Sequence, residues 1–125
     1  MGYGIMKKTV LVIEDEPIIA EMISIILEVQ GFKVISLSDT ARARQKLHAR
    51  EVDLAMLDLN LGGEDGADMC AYIKGQDDLK HIPVILVSAN PGLAAIMKDC
   101  GADDYIAKPF DIDKFVDKVN TYVLA

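Results

Sequence analysis

Glu14, Asp15, Asp58, Ser88 and Lys108 are the side chains of this sequence whose types suit chemistry at one place: acids, a hydroxyl and an ammonium. Glu16 adds an acid to the first group. Two carboxylates about 4 Å apart repel by roughly 4 kcal/mol at an effective dielectric of about 20. A cluster of Glu14, Asp15 and Asp58 is therefore unfavourable, or partly protonated, unless positive charge sits among its members. Lys108 supplies one charge. A hard divalent cation on oxygen ligands supplies the rest, and an incomplete protein cage favours Mg²⁺, which keeps several waters.

Whether these groups meet depends on the elements that carry them. Val10-Leu-Val-Ile13 is apolar without alternation and reads as a fully buried strand. Ile18, Ile19, Met22, Ile23, Ile26 and Leu27 then recur at helical spacing, with Pro17 suited to the first turn and Gly31 to the stop. Val34–Leu37 is a second strand, followed by a polar helix from about Thr40 to Arg50 with Ala43 and Leu47 inward. Leu54–Leu57 is a third strand, and the glycine-rich run Gly62-Gly-Glu-Asp-Gly66 after it reads as a loop. A helix from about Ala67 to Lys74, a strand Pro83–Val87, a short helix through Leu93, Ile96, Met97 and Cys100, and a brief strand at Tyr105-Ile106 come next. Ile112, Phe115, Val116, Val119, Tyr122 and Val123 trace the last helix.

Such β-α alternation implies an α/β fold: a five-stranded parallel sheet, doubly wound, with helices on both faces. The reading is one domain over residues 1–125, with a core from about 8 to 124 and residues 1–7 as an extension. In open α/β sheets, ligands bind outside the carboxyl ends of the strands. Glu14-Asp15-Glu16 follow the first strand, Asp58 the third, Ser88 the fourth and Lys108 the fifth. Each residue has a plainer reading. Glu14-Asp15-Glu16-Pro17 resembles a helix cap, Asp58 could start a turn, Ser88 could cap a helix, and Lys108 could be a solvated charge. Their shared position on one rim of the sheet decides for the site, and capping is compatible with it.

Composition narrows the partners. A net charge of −7 argues against a general nucleic-acid or membrane-surface binder. No apolar run reaches the roughly 20 residues of a membrane span, and the N-terminus lacks a secretory pattern, so the expected place is the cytoplasm. Cys70 and Cys100 have no metal-ligand spacing and read as small apolar side chains with free thiols. His48 and His81 read as surface residues with no partner at metal or triad spacing. The sequence stops right after the last helix, so no output domain is expected within it.

Glu14-Asp15, then Asp58, Ser88-Ala89 and Lys108-Pro109, in that order, resemble the receiver domain of two-component response regulators. Gly101-Ala-Asp-Asp-Tyr-Ile-Ala-Lys-Pro-Phe110 and Val12-Ile-Glu-Asp-Glu-Pro17 are especially similar to that family, and the likeness runs from about Lys8 to Leu124. It implies the strand order 2-1-3-4-5. It implies that Asp58 is the phosphoacceptor, with Asp15, Asp58 and the backbone carbonyl of Asn60 ligating Mg²⁺ directly and Glu14 through a water. Lys108 and the metal would stabilise the transferring phosphoryl group, and Ser88 would bond one of its oxygens afterwards. Ala89 leaves the acceptor accessible, and the Lys108–Pro109 peptide is expected to be cis. Tyr105 occupies the switch-aromatic position, biasing a two-state surface of the fourth helix, fifth strand and fifth helix.

The implied partners are a sensor histidine kinase or histidine phosphotransfer protein, a downstream protein or output domain, and a second copy of the chain on phosphorylation. The domain would assist its own phosphotransfer rather than act as an enzyme. Two departures from the family pattern stand out. The proline usual near Gly62 is missing, and the span from Ser88 to Lys108 is about two residues short, which predicts a stubby fourth helix with a weak start at Gly92. A haloacid-dehalogenase-type phosphatase would need an acid where Asn60 stands, and its nucleophile on the first strand of its motif. A flavodoxin-like flavin binder would need a phosphate loop where Glu14-Asp15-Glu16 would repel phosphate. A receiver used only for docking, without phosphorylation, is the remaining alternative.

Overall fold

Apolar residues at nearly every position make a strand that can be covered on both faces, and three strands here are of that kind. In the computed structural model, which describes residues 7–61 and 64–124, they are β1 (Thr9–Ile13), β3 (Leu54–Asp58) and β4 (Val84–Ser88), each buried throughout. The edges are β2 (Lys33–Leu37) and β5 (Asp104–Ala107), which are only partly buried. All neighbours pair in parallel, in the order β2-β1-β3-β4-β5, as the resemblance implied.

Five helices connect and cover the sheet: α1 (Pro17–Val29), α2 (Thr40–His48), α3 (Gly66–Gly75), α4 (Leu93–Cys100) and α5 (Ile112–Tyr122). Alternation along the strands sorts their side chains into two cores. Leu11, Ile13, Ala55, Leu57, Val84 and Leu86 pack with Leu47 of α2, Met69 and Ile73 of α3 and Leu93 of α4. Val10, Val12, Leu54, Met56, Ile85 and Val87 pack with Ile23 and Leu27 of α1 and with Phe115 and Val119 of α5.

Local chemistry sets the helix ends. Asp39, Asp65 and Asp111 each cap a following helix by accepting backbone N–H bonds. Pro17 starts α1, but Glu16 makes no side-chain cap, so the acidic run before α1 does not cap it through that residue. Gly31 takes φ 97°, a left-handed value suited to the turn out of α1. The fourth helix is short, as expected: α4 has 8 residues, Gly92 stands at its N-cap without a side-chain bond, and Gly101 at φ 83° stops it.

Within the run expected as a loop after β3, Glu64–Asp65 is paired antiparallel with Asn60–Leu61, and Gly66 is already helical, as the first residue of α3. Gly62 and Gly63 themselves, and the N-terminal residues before Lys7, lie outside the described residues.

Candidate functional site

The strand register decides which groups meet. Ile13 pairs with Leu57, so Glu14 and Asp58 come next to each other at the strand ends. Counting two residues on from Val12, Met56 and Ile106, all in the α1/α5 core, gives Glu14, Asp58 and Lys108. Counting two on from Leu86, in the other core, gives Ser88. The first three therefore converge on one side, while Ser88 belongs to the side that carries α3 and α4.

The side chains follow this geometry. Lys108 Nζ donates to Glu14 Oε1 at 2.9 Å and to Asp58 Oδ2 at 3.2 Å. Carboxylate oxygens of Glu14, Asp15 and Asp58 lie within 4.8 Å of one another. Glu14 and Asp58 are buried, at 4% and 6% exposure, while Asp15 is exposed. Asp58 Oδ1 accepts the Asn60 backbone N–H at 3.0 Å, which is the turn-starting role its plainer reading assigned. Glu14 Oε2 accepts the Glu16 N–H at 3.3 Å. The Lys108–Pro109 peptide is cis.

Ser88 is buried and accepts the Asn90 N–H at 3.0 Å; Asn90 Oδ1 in turn accepts the Gly92 N–H at 2.8 Å. Asp58, Asn60, Ser88, Ala89, Asn90 and Lys108 line one cleft of about 1200 Å³ that runs on between α3 and α4. Tyr105 is half-buried and packs against the α3/α4 core, with Lys118 Nζ 5.0 Å from its ring centre and donating to its carbonyl oxygen.

Burial fixes the protonation pattern. Loss of water around Glu14 pushes its pKa up to about 7, and its hydrogen bond with Asp58 adds to this against the pull of Lys108. Burial also opposes ionisation of Asp58, but hydrogen bonds with Glu14, the Asn60 N–H and Lys108 outweigh it and hold the carboxyl below its usual range. Burial works against the Lys108 charge too, yet Glu14 and Asp58 raise its pKa. The result is an ionised Asp58 beside an ammonium, with Glu14 exchanging its proton near neutral pH.

Two features escaped the sequence reading. A Cβ on Gly66 would stand 2.0 Å from the Asp58 carbonyl oxygen, so the backbone before α3 packs against the acid-bearing strand end as only glycine can. A lone glycine ahead of a helical stripe was the available signal. His48, exposed as expected, does have partners: Nδ1 lies 2.7 Å from Asp78 Oδ2 and Nε2 2.6 Å from Tyr72 Oη. Those partners stand 30 and 24 residues away, where spacing carries no information.

With this geometry established, the family model for the response regulator receiver domain matches residues 10–120. The chain belongs to the response-regulator receiver family. The DNA-binding response regulator MtrA of Mycolicibacterium smegmatis is 31% identical over 116 residues, which cover 91% of this receiver and 50% of that protein. This receiver thus spans about half the length of such curated relatives. The receiver domain of a signal transduction histidine kinase from Syntrophus aciditrophicus superposes with a TM-score of 0.84 at 32% identity, covering 92% of this chain and 89% of that one. Response regulator TrrA of Thermotoga maritima, solved with Mg²⁺-BeF, superposes with a TM-score of 0.83 at 27% identity, covering 93% and 99%. No helix among the described residues is long and apolar enough to cross a membrane.

Proposed function

We propose that this receiver, acting as one unit over its core from about residue 8 to 124, accepts a phosphoryl group onto Asp58 in a Mg²⁺-dependent reaction and so switches a binding surface. The observation that carries the reading is Lys108 Nζ set between Glu14 and Asp58, at 2.9 and 3.2 Å, with Asp15 completing the acidic cluster. One ammonium against three acids leaves negative charge uncompensated, and the donors are hard oxygens, so the residues fit a divalent cation. Asp15, Asp58 and the Asn60 carbonyl would hold it directly and Glu14 through water. When bound, Mg²⁺ supplies charge for the transferring phosphoryl oxygens.

The chain's own groups have distinct tasks. Ionised Asp58 provides the carboxylate oxygen that forms the new O–P bond as the donor's P–N bond breaks, and the donor imidazole keeps that electron pair. Lys108 offsets the growing charge on the phosphoryl oxygens. Ser88 accepts from Asn90 and keeps its own proton for a phosphoryl oxygen. Ala89, small and on the cleft, leaves the acceptor open. Through Ser88, the phosphorylated state would draw Tyr105 inward and alter the surface of α4, β5 and α5.

The donor is a phosphohistidine on a sensor kinase or phosphotransfer protein, and the readers are a downstream protein, an output domain or a second copy of the chain. The site assists a transfer onto itself and is not that of a turnover enzyme. It works in the cytoplasm. The test is incubation with a small phosphodonor and Mg²⁺, read by intact mass. Wild type should gain one phosphate, and Asp58→Asn none. A wild type that stays unmodified leaves docking without phosphorylation as the function, and an Asp58→Asn variant modified equally moves the acceptor to another residue.

A further inference from the structure

Two cysteines that stand 30 residues apart in the chain come together between α3 and α4, the thiol of one against the backbone of the other. Cys70 has no exposed surface, and its Sγ donates to the Cys100 carbonyl oxygen at 3.5 Å. Cys100 is the last residue of α4, its Sγ directed to the Met97 carbonyl at 3.7 Å. It is half-buried and lines the same cleft as Asp58, Ser88 and Asn90. The pair thus has one member that a small reagent can reach and one sealed beneath it.

We propose that Cys70 and Cys100 form a dithiol that a small disulfide closes into a reversible bond, tying the middle of α3 to the end of α4. Access fixes the order of events. The thiolate is the reacting species, and only Cys100 is open to the cleft. Its sulfur attacks the small disulfide, whose S–S bond breaks; one thiol leaves with a proton, and a mixed disulfide remains on Cys100. Cys70 then gives up its proton and attacks the Cys100 sulfur, and the second small thiol departs with a proton. Two protein thiols are oxidised by two electrons, and one small disulfide is reduced to two thiols.

Burial, together with the neighbouring Cys100, pushes the Cys70 thiol well up, and the Lys74 ammonium partly offsets this. Cys70 is therefore the slow, resolving partner. The bond would hold α4 against α3 beside the cleft that Asp58 also lines, with no change to the Asp58 side chain itself. The inference does not depend on phosphorylation.

The plainer role for both residues is packing, and one experiment separates the two. The reduced full chain is incubated with oxidised glutathione, its remaining thiols are alkylated, and a non-reducing digest is mapped by mass. The expected result is loss of both thiols, a single linked species joining the Cys70 and Cys100 peptides, and full reversal by dithiothreitol. Cys70→Ser, with folding checked by circular dichroism, should stop at a stable glutathione adduct on Cys100. In wild type, a persistent Cys100 adduct, or two thiols that remain free, would overturn the proposal without reference to any variant.

Discussion

Lys108 stands closer to Glu14 than to Asp58, with its ammonium 2.9 Å from one carboxylate and 3.2 Å from the other. Both acids are almost sealed from water, so the lysine bridges two carboxyl groups rather than serving one. It also occupies the electrostatic place that a divalent cation would strengthen. Replacing Lys108 by Met should therefore have opposite effects on binding and transfer. Mg²⁺ should bind about tenfold tighter once the competing charge is gone. Phosphoryl transfer from a small donor should slow by about 100-fold, because the growing oxygen charge has lost a partner. Metal titration and timed intact mass read the two effects separately, and an unchanged Mg²⁺ affinity would detach the ammonium from the metal site.

Glu14 sets the pH dependence of the same site. Its carboxyl, ordinarily near 4.5, is pushed up to about 7 by burial, so the folded chain holds a proton that the unfolded chain releases across that window. Metal-free stability should then fall as pH rises from about 4.5 to about 7, by on the order of 3 kcal/mol, and level off above. Asp58, held below its ordinary 3.8, acts at the acid end: its contribution is present above that value and lost as pH falls below it. Bound metal must displace the Glu14 proton, so Mg²⁺ affinity should drop about tenfold between about pH 8 and about pH 6. Glu14→Gln should flatten both profiles, as followed by urea unfolding and metal titration. A slope that persists in the variant would assign the proton to another group.

The sequence made the inner strands and the rim of acids legible for a simple reason. Strands β1, β3 and β4 are apolar at nearly every position, which leaves little choice but burial on both faces, and chain direction then puts Glu14, Asp58, Ser88 and Lys108 at one end. The alternation that separates Ser88 from the other three was present too, but it needs the two cores to be known before it can be read. The Asn60–Leu61 and Glu64–Asp65 pair was illegible because two-residue strands are too short to show a period. Capping was the plainer reading of the run Glu14-Asp15-Glu16-Pro17, but Glu16 makes no side-chain cap, and the Glu14 carboxyl takes the Glu16 N–H as part of its own turn. The His48 contacts depend on how α2 lies beside α3, which local spacing does not encode.

Gly66 ties the fold to the site through backbone contact. A methyl group there would meet the Asp58 carbonyl oxygen at 2.0 Å and the Leu59 Cα at 2.9 Å, neither of which is a flexible side-chain end. Gly66→Ala must push α3 away from the end of β3 or shift Asp58 itself. The expected cost is roughly 3 kcal/mol of stability, the upper range for overpacking, together with slower phosphorylation of Asp58. Gly75→Ala is the control, since a Cβ there meets nothing within 4 Å. Urea unfolding of both variants checks the contrast; equal stabilities would mean that the helix start yields without strain.

Asn60 and Asn90 should govern how long a phosphate on Asp58 lasts. Each stands two residues beyond a strand-end group, is exposed, and lines the cleft that solvent must enter to hydrolyse the acyl phosphate. Asn90 also ties its Oδ1 to the Gly92 N–H, which holds its amide over the entrance to α4 rather than free in solvent. An amide at either place can orient an attacking water, while an apolar chain of similar length both removes that partner and narrows the cleft. Asn60→Met and Asn90→Met should each lengthen the phosphate lifetime by about three- to tenfold, and the double variant by about the product, as the two sites do not share a hydrogen bond. Phosphorylation rates should change far less, because Asp58, Lys108 and the acidic cluster are untouched. Timed loss of phosphate by intact mass after removal of the donor measures this, and unchanged lifetimes in both single variants would remove these amides from any part in admitting water.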